Sequence, residues 1–119
     1  MKRKEVLERA DKYINGDRAK DYGNAFENFT RISEGWQLII REAHVTNGYV
    51  TARHVALLMI WLKMARLLHD LDNDDSWIDI AGYAALGAEC TDNESDMQKR
   101  MDLFMNCLLY TSPSPRDRG

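Results

Sequence analysis

Apolar side chains recur at steps of three and four residues along most of this chain, the pattern of helices that each bury one face. Val6, Leu7, Ala10, Tyr13 and Ile14 mark a first helix over residues 2–14, ended by Asn15-Gly16 and backed by a solvated face of lysines and glutamates. Phe29, Ile32, Trp36, Ile39 and Ala43 mark a second. Asn24 and Glu27, ahead of it, have the spacing of a capping box. Gly35 within this helix costs about 1 kcal/mol relative to alanine, which points to close packing or the approach of a ligand. His44 to Val50 form a turn containing Asn47-Gly48, and Thr51 is placed to cap a third helix.

The third helix departs from the one-faced pattern. From Val55 to Leu68 nearly every position is apolar, which suits the centre of a bundle and not its surface. Lys63 and Arg66 nevertheless stand in it, three apart on one face, with His69 and Asp70 beyond. The link Leu71 to Asp74 is so short that the next helix must run antiparallel beside it. That fourth helix starts at Asp75-Ser76 and carries Asp79 and Tyr83 four apart. Its Ala81, Gly82, Ala84, Ala85, Gly87 and Ala88 leave little bulk, so it should be packed tightly on several sides. Polar residues Thr91 to Asp96 then lead to a short amphipathic helix at 95–106 bearing Met97, Met101 and Phe104. The expected fold is all-α: an antiparallel helical bundle of four main helices plus a short C-terminal helix. Residues 1–90 form the bundle domain, and 91–106 form a linker and the short helix.

Composition narrows the function classes. With 119 residues the chain holds one core and not two. A net charge of −3 argues against a nucleic-acid partner, which calls for a basic face. The longest apolar run, Val55–Leu62, falls far short of a bilayer span, so no membrane partner is expected. No apolar leader follows Met-Lys-Arg-Lys-Glu at the start. Cys90 and Cys107 have neither zinc-ligand spacing nor the look of a disulfide framework. A cytoplasmic location is the expectation.

Cations in an oily helix need an anion. Arg66 and Asp79 each lie about 6 Å from the connecting turn on facing helices. The anion is thus Asp79 alone, or Asp79 together with the phosphate of a ligand. Tyr83, on the face of Asp79, either hydrogen-bonds that carboxylate or walls a pocket. Asn28 either bonds a nearby backbone or faces the same pocket. Trp36, Trp61 and Trp77 read as core side chains before base-stacking platforms. His44, His54 and His69 are scattered and suggest no Ser/His/Asp chemistry. The acidic run Asp70 to Asp75 is a solvated turn whose last aspartate caps the next helix. It is not a Ca²⁺ loop, because Ser76 and Asp79 disagree with the required Gly and Glu.

Asp21-Tyr22-Gly23, Glu27-Asn28-Phe29, Trp36, Lys63-x-x-Arg66 and Asp75-Ser76-Trp77-Ile78-Asp79-Ile80-Ala81-Gly82-Tyr83-Ala84 together resemble an uncharacterised all-α domain of phages and prophages, over roughly residues 15–90. The last block is the specific part. More distantly, the arrangement is similar to a phage domain associated with nucleotide modification and to nucleotide pyrophosphohydrolases of the MazG type. The resemblance implies a helical bundle, a homo-oligomer and a nucleotide ligand in its pocket. The pyrophosphohydrolase pattern places Glu-Glu-x-x-Glu on one helix and Glu-x-x-Asp on the next, since Mg²⁺ takes several carboxylate oxygens. Here Asp79 fits the last aspartate, Ser76 stands where a glutamate belongs, and Lys63 and Arg66 occupy the region of the other acids. Two cations suit phosphate better than a metal. Cys107 to Asp117 resembles a translated sequencing adapter, so residues 107–119 are read as a non-native read-through tail, with the natural C-terminus beyond Asn106 missing.

Three readings follow. In the first the chain binds a nucleotide, sequestering a signal or serving modified-nucleotide metabolism, with no metal and no cofactor. Lys63 and Arg66 hold phosphate, Asp75 and Asp79 orient them or bond the sugar or base, and Tyr22, Asn28 or Tyr83 contacts the base. In the second it is a divergent Mg²⁺-dependent pyrophosphohydrolase using Asp75 and Asp79, helped by Glu42 or by a second subunit. In the third, Lys63 and Arg66 pair with Asp75 and Asp79 to fix helix register in a non-catalytic interaction module.

Overall fold

The computed structural model describes residues 1–16 and 24–111. Tyr22 and the whole of Asp21-Tyr22-Gly23 lie outside the described residues. The chain forms α1 (Arg3–Asn15), α2 (Ala25–Asn47), α3 (Ala52–His69), α4 (Asp74–Glu89), a 3-10 turn (Cys90–Asn93) and α5 (Glu94–Thr111). There is no strand among the described residues, so the all-α class holds.

Short polar side chains set the helix starts. The Asn24 side chain accepts the Glu27 N–H at 3.1 Å at the head of α2, and Gly48 closes that helix in the left-handed conformation at φ 84°. Thr51 Oγ1 accepts the His54 N–H, while His54 Nδ1 accepts the Thr51 N–H, both at 3.2 Å. His54 is therefore a capping residue. At α4 the cap is Asn73, whose side chain accepts the Ser76 N–H at 3.0 Å, and not Asp75 as expected. Asp74 and Asp75 instead occupy the first turn, where the helix dipole favours negative charge.

Three helices lie side by side with α3 in the middle, α2 against one flank and α4 against the other. Two indoles stitch the α2/α3 seam. Trp36 Nε1–H donates to the Leu58 carbonyl at 2.8 Å, and Trp61 Nε1–H donates to the Arg31 carbonyl at 3.1 Å. Gly35 makes this possible, because any Cβ there would run into the Trp61 ring. On the other flank, a Cβ at Gly87 would come within 2.8 Å of Ala56. The buried residues Ile32, Ala43, Ala65, Leu67 and Ser76 lie within these three helices.

Four further sequence expectations need correction. Every residue of α1 is exposed, including Val6, Leu7 and Ile14, so its apolar stripe is not buried within the chain. Ala81, Gly82, Ala84, Ala85 and Ala88 are exposed too, so α4 packs tightly along one side only. The expected linker at 91–96 is mostly the 3-10 turn, pinned where Thr91 Oγ1–H donates to the Ala88 carbonyl at 2.9 Å. Beyond it α5 runs as far as Thr111 without a break at Asn106, since Cys107, Leu108 and Leu109 carry no residue that ends a helix. Among the described residues no helix is long and apolar enough to cross a membrane.

Candidate functional site

The antiparallel α3/α4 pairing sets Ala56 against Gly87 and Lys63 against Asp79. Lys63 Nζ lies 3.0 Å from Asp79 Oδ2, with the lysine side chain 16% exposed and the aspartate 43%. The cation is largely buried while its partner keeps much of its carboxylate in water. Arg66, about one turn on toward the end of α3, is half-buried. Among the described residues no carboxylate engages it. Asp75 is exposed in the first turn of α4 and pairs with neither cation.

Asn28 is half-buried on α2. The contacts of Arg31 with Trp61 and of Trp36 with Leu58 fix an antiparallel register that carries Asn28 level with Ala65 and Arg66. The structure thus places Lys63, Arg66, Asp79 and Asn28 toward the same end of the layer. Ser76, where the pyrophosphohydrolase pattern has a glutamate, is 1% exposed in that region. Such a position has room for a hydroxyl and none for a solvated carboxylate. Trp77 is half-exposed and clasps the turn, its Nε1–H donating to the Leu71 carbonyl at 2.9 Å.

Tyr83 lies elsewhere. It lines a cavity of about 780 Å³ between the first half of α3, the second half of α4 and the start of α5. Leu57, Ile60 and Met97 supply apolar wall, and Tyr49, Arg53 and Arg100 supply polar groups. Two bonds tether α5 over the opening: Tyr49 O–H donates to Gln98 Oε1 at 2.9 Å, and Arg53 pairs with Glu94 at 3.0 Å. The cavity's inner end, at Ile60 and Tyr83, is about one helical turn from the Lys63–Asp79 pair. A mostly apolar hollow with a few convergent polar groups is the usual form of a small-ligand site. Tyr49, Arg53 and Arg100 escaped the sequence reading because they come from three separate elements. No spacing along the chain links them, and α5 read as peripheral. Among the described residues no three His, Cys, Asp or Glu side chains gather as a metal site.

Residues 5–91 match a family model described as a domain of unknown function, DUF6378. The chain is 41% identical over 81 residues to the Gene 55 protein of Mycobacterium phage L5, covering 68% of this chain and 49% of that protein. It is 37% identical over 83 residues to the Gene 55 protein of Mycobacterium phage D29, covering 66% and 48%. The chain thus spans about half the length of the curated relatives it matches. No solved structure matches it. The unit is an uncharacterised phage domain, and α1 to α4 make up nearly all of it.

Proposed function

The chain belongs to the DUF6378 family, and from that premise we propose that it binds a nucleotide-type ligand. The planar, less polar part of the ligand sits in the cavity beside Tyr83. Its phosphates run along the α3/α4 groove toward Lys63 and Arg66. One observation carries this reading: a nucleotide-sized cavity ends about one turn from a lysine held by a half-solvated aspartate, with a half-buried arginine lacking a carboxylate just beyond. The spacing favours a ligand with a long phosphate tail, because Arg66 is about 9 Å along the helix from Ile60. Asp79 orients Lys63, while Asn28 stands level with Arg66 on the α2 flank of α3.

The likeness to MazG-type enzymes supports the nucleotide class, and Mg²⁺-dependent hydrolysis is its less supported form. That chemistry needs acids from residues 17–23 or from a second copy, given the described carboxylates. The reading keeps the ligand as a small molecule in the cytoplasm of the infected cell and sets residues 107–119 apart from the domain, consistent with a family match that ends at residue 91. It also keeps α1 as the fourth main helix of an antiparallel bundle.

A second reading has an observation of its own. The 3.0 Å contact and the burial of Lys63 are what a register-fixing ion pair requires, and a domain built for assembly needs no ligand. Thermal-shift measurements on the full chain with nucleoside mono-, tri- and cyclic phosphates, with and without Mg²⁺, separate these readings. A triphosphate at a hundred times its dissociation constant raises stability by about 2.7 kcal/mol, an effect lost in Tyr83→Ala and in Lys63→Met/Asp79→Leu. Retention of the shift in the double variant, with loss in Arg53→Met or Arg100→Met, moves the phosphate to the outer rim. Pyrophosphate release selects the enzyme. No shift across the panel selects the assembly module.

A further inference from the structure

Among the described residues, the outer face of α4 and a stripe of α1 are apolar and exposed. On α4 the outward stripe is Ile78, Ala81, Gly82, Ala85 and Leu86, with Ile78 67% and Leu86 59% exposed. On α1 it is Val6, Leu7, Ala10 and Ile14, all exposed. The stripes recur at three- and four-residue steps on helices of similar length, about 20 Å for α1 and about 24 Å for α4. They also belong to the first and last helices of the family unit, which runs from residue 5 to 91.

Gly82 adds a separate clue. A glycine in mid-helix lowers helix stability, and at Gly35 and Gly87 a neighbour in the same chain accounts for it. At Gly82 an added Cβ would meet nothing within 4 Å. The chain alone supplies no reason for this glycine; a helix packed closely across it does.

We infer that the chain forms a symmetric dimer by exchange of α1, each α1 lying across the outer face of the other copy's α4. Charge favours this pairing over α4 against α4. α4 carries Asp74, Asp75, Asp79 and Glu89 and no cation, whereas α1 carries Arg3, Lys4, Arg9 and Lys12 against Glu5, Glu8 and Asp11. With Asp79 held by Lys63, two α4 faces would set Asp74, Asp75 and Glu89 against their like, and two α1 faces would leave α4 bare. The larger side chains of α1 also fit the shallow face left by alanine and glycine. One contact made twice closes the assembly under twofold symmetry and supplies the fourth helix of each bundle.

Cysteine cross-linking of the full chain tests this, in a background where Cys90 and Cys107 are serine. Ala10 and Gly82 sit at the middles of their stripes and meet whichever way the helices run. Chains carrying both Ala10→Cys and Gly82→Cys should oxidise to a covalent dimer, and each single variant should not. Mixing the two single variants should give the cross-linked heterodimer. A disulfide within one chain, a dimer linked through either cysteine alone, or no cross-link at all overturns the exchange. Ile78→Glu provides a check independent of cysteine chemistry. Its side chain is in solvent in a single copy, so the helix content should persist while the dimer weakens at least roughly thirtyfold. An unchanged dissociation constant rejects the proposed face.

Discussion

Gly35 and Gly82 both stand in mid-helix, and the surroundings they meet divide the molecule in two. Around Gly35 the α2/α3 seam is complete within one chain: an indole lies on the glycine, and each of two tryptophans gives its N–H to a carbonyl of the opposite helix. Around Gly82 the outer face of α4 is bare and apolar. The seam holds itself together by shape and by satisfied hydrogen bonds. The outer face shows half of a contact. An apolar stripe says that something must cover it, and only the depth of the groove, the charge at its rims and an unexplained glycine say what.

The sharpest way to break this contrast is to empty the seam. Trp61→Ala removes the ring that fills the notch at Gly35 and the bond to Arg31, and should cost about 3 kcal/mol or somewhat more in urea unfolding. A loss under 1 kcal/mol would mean that the seam is not the stabilising centre. Overfilling the same notch comes next: Gly35→Ala should destabilise by about 1–3 kcal/mol, because the new methyl and the indole claim one space. Lys63→Met follows at about 1–2 kcal/mol, between the values for exposed and buried pairs, since it strands Asp79 at a half-buried position. Adding Asp79→Leu should recover most of that loss, and a double-mutant cycle that shows no coupling would rule the pair out as a structural element. The smallest effect has the opposite sign. Gly82→Ala, measured dilute enough for single copies, should stabilise by up to about 1 kcal/mol, whereas at Gly35 the same change destabilises.

Much of the frame was legible in the residues. Asn24, Thr51 and the short Leu71–Asp74 link placed the starts of α2 and α3 and the hairpin that follows, because caps and tight connections act over a few neighbouring residues. The register of that hairpin was legible only to within a turn: counting from the link put Arg66 opposite Asp79, whereas the structure sets Lys63 there at 3.0 Å, because α3 runs on to His69 and α4 already starts at Asp74. What escaped was set by distance along the chain. The cavity draws Tyr49, Arg53, Tyr83 and Arg100 from four places, and no local pattern joins them. The apolar period of α1 predicted a buried stripe, but a stripe carries no record of whether its cover belongs to the same chain. The small residues of α4 read as packed on several sides, and the structure leaves Ala81, Gly82, Ala84, Ala85 and Ala88 exposed.

The mass of the full chain in solution, followed by sedimentation equilibrium across micromolar concentrations, tests most directly the idea that one copy is incomplete. A species of twice 13.8 kDa whose unfolding midpoint rises with protein concentration is the predicted result. A 13.8 kDa particle at every concentration, unfolding cooperatively at a midpoint independent of dilution, would contradict it.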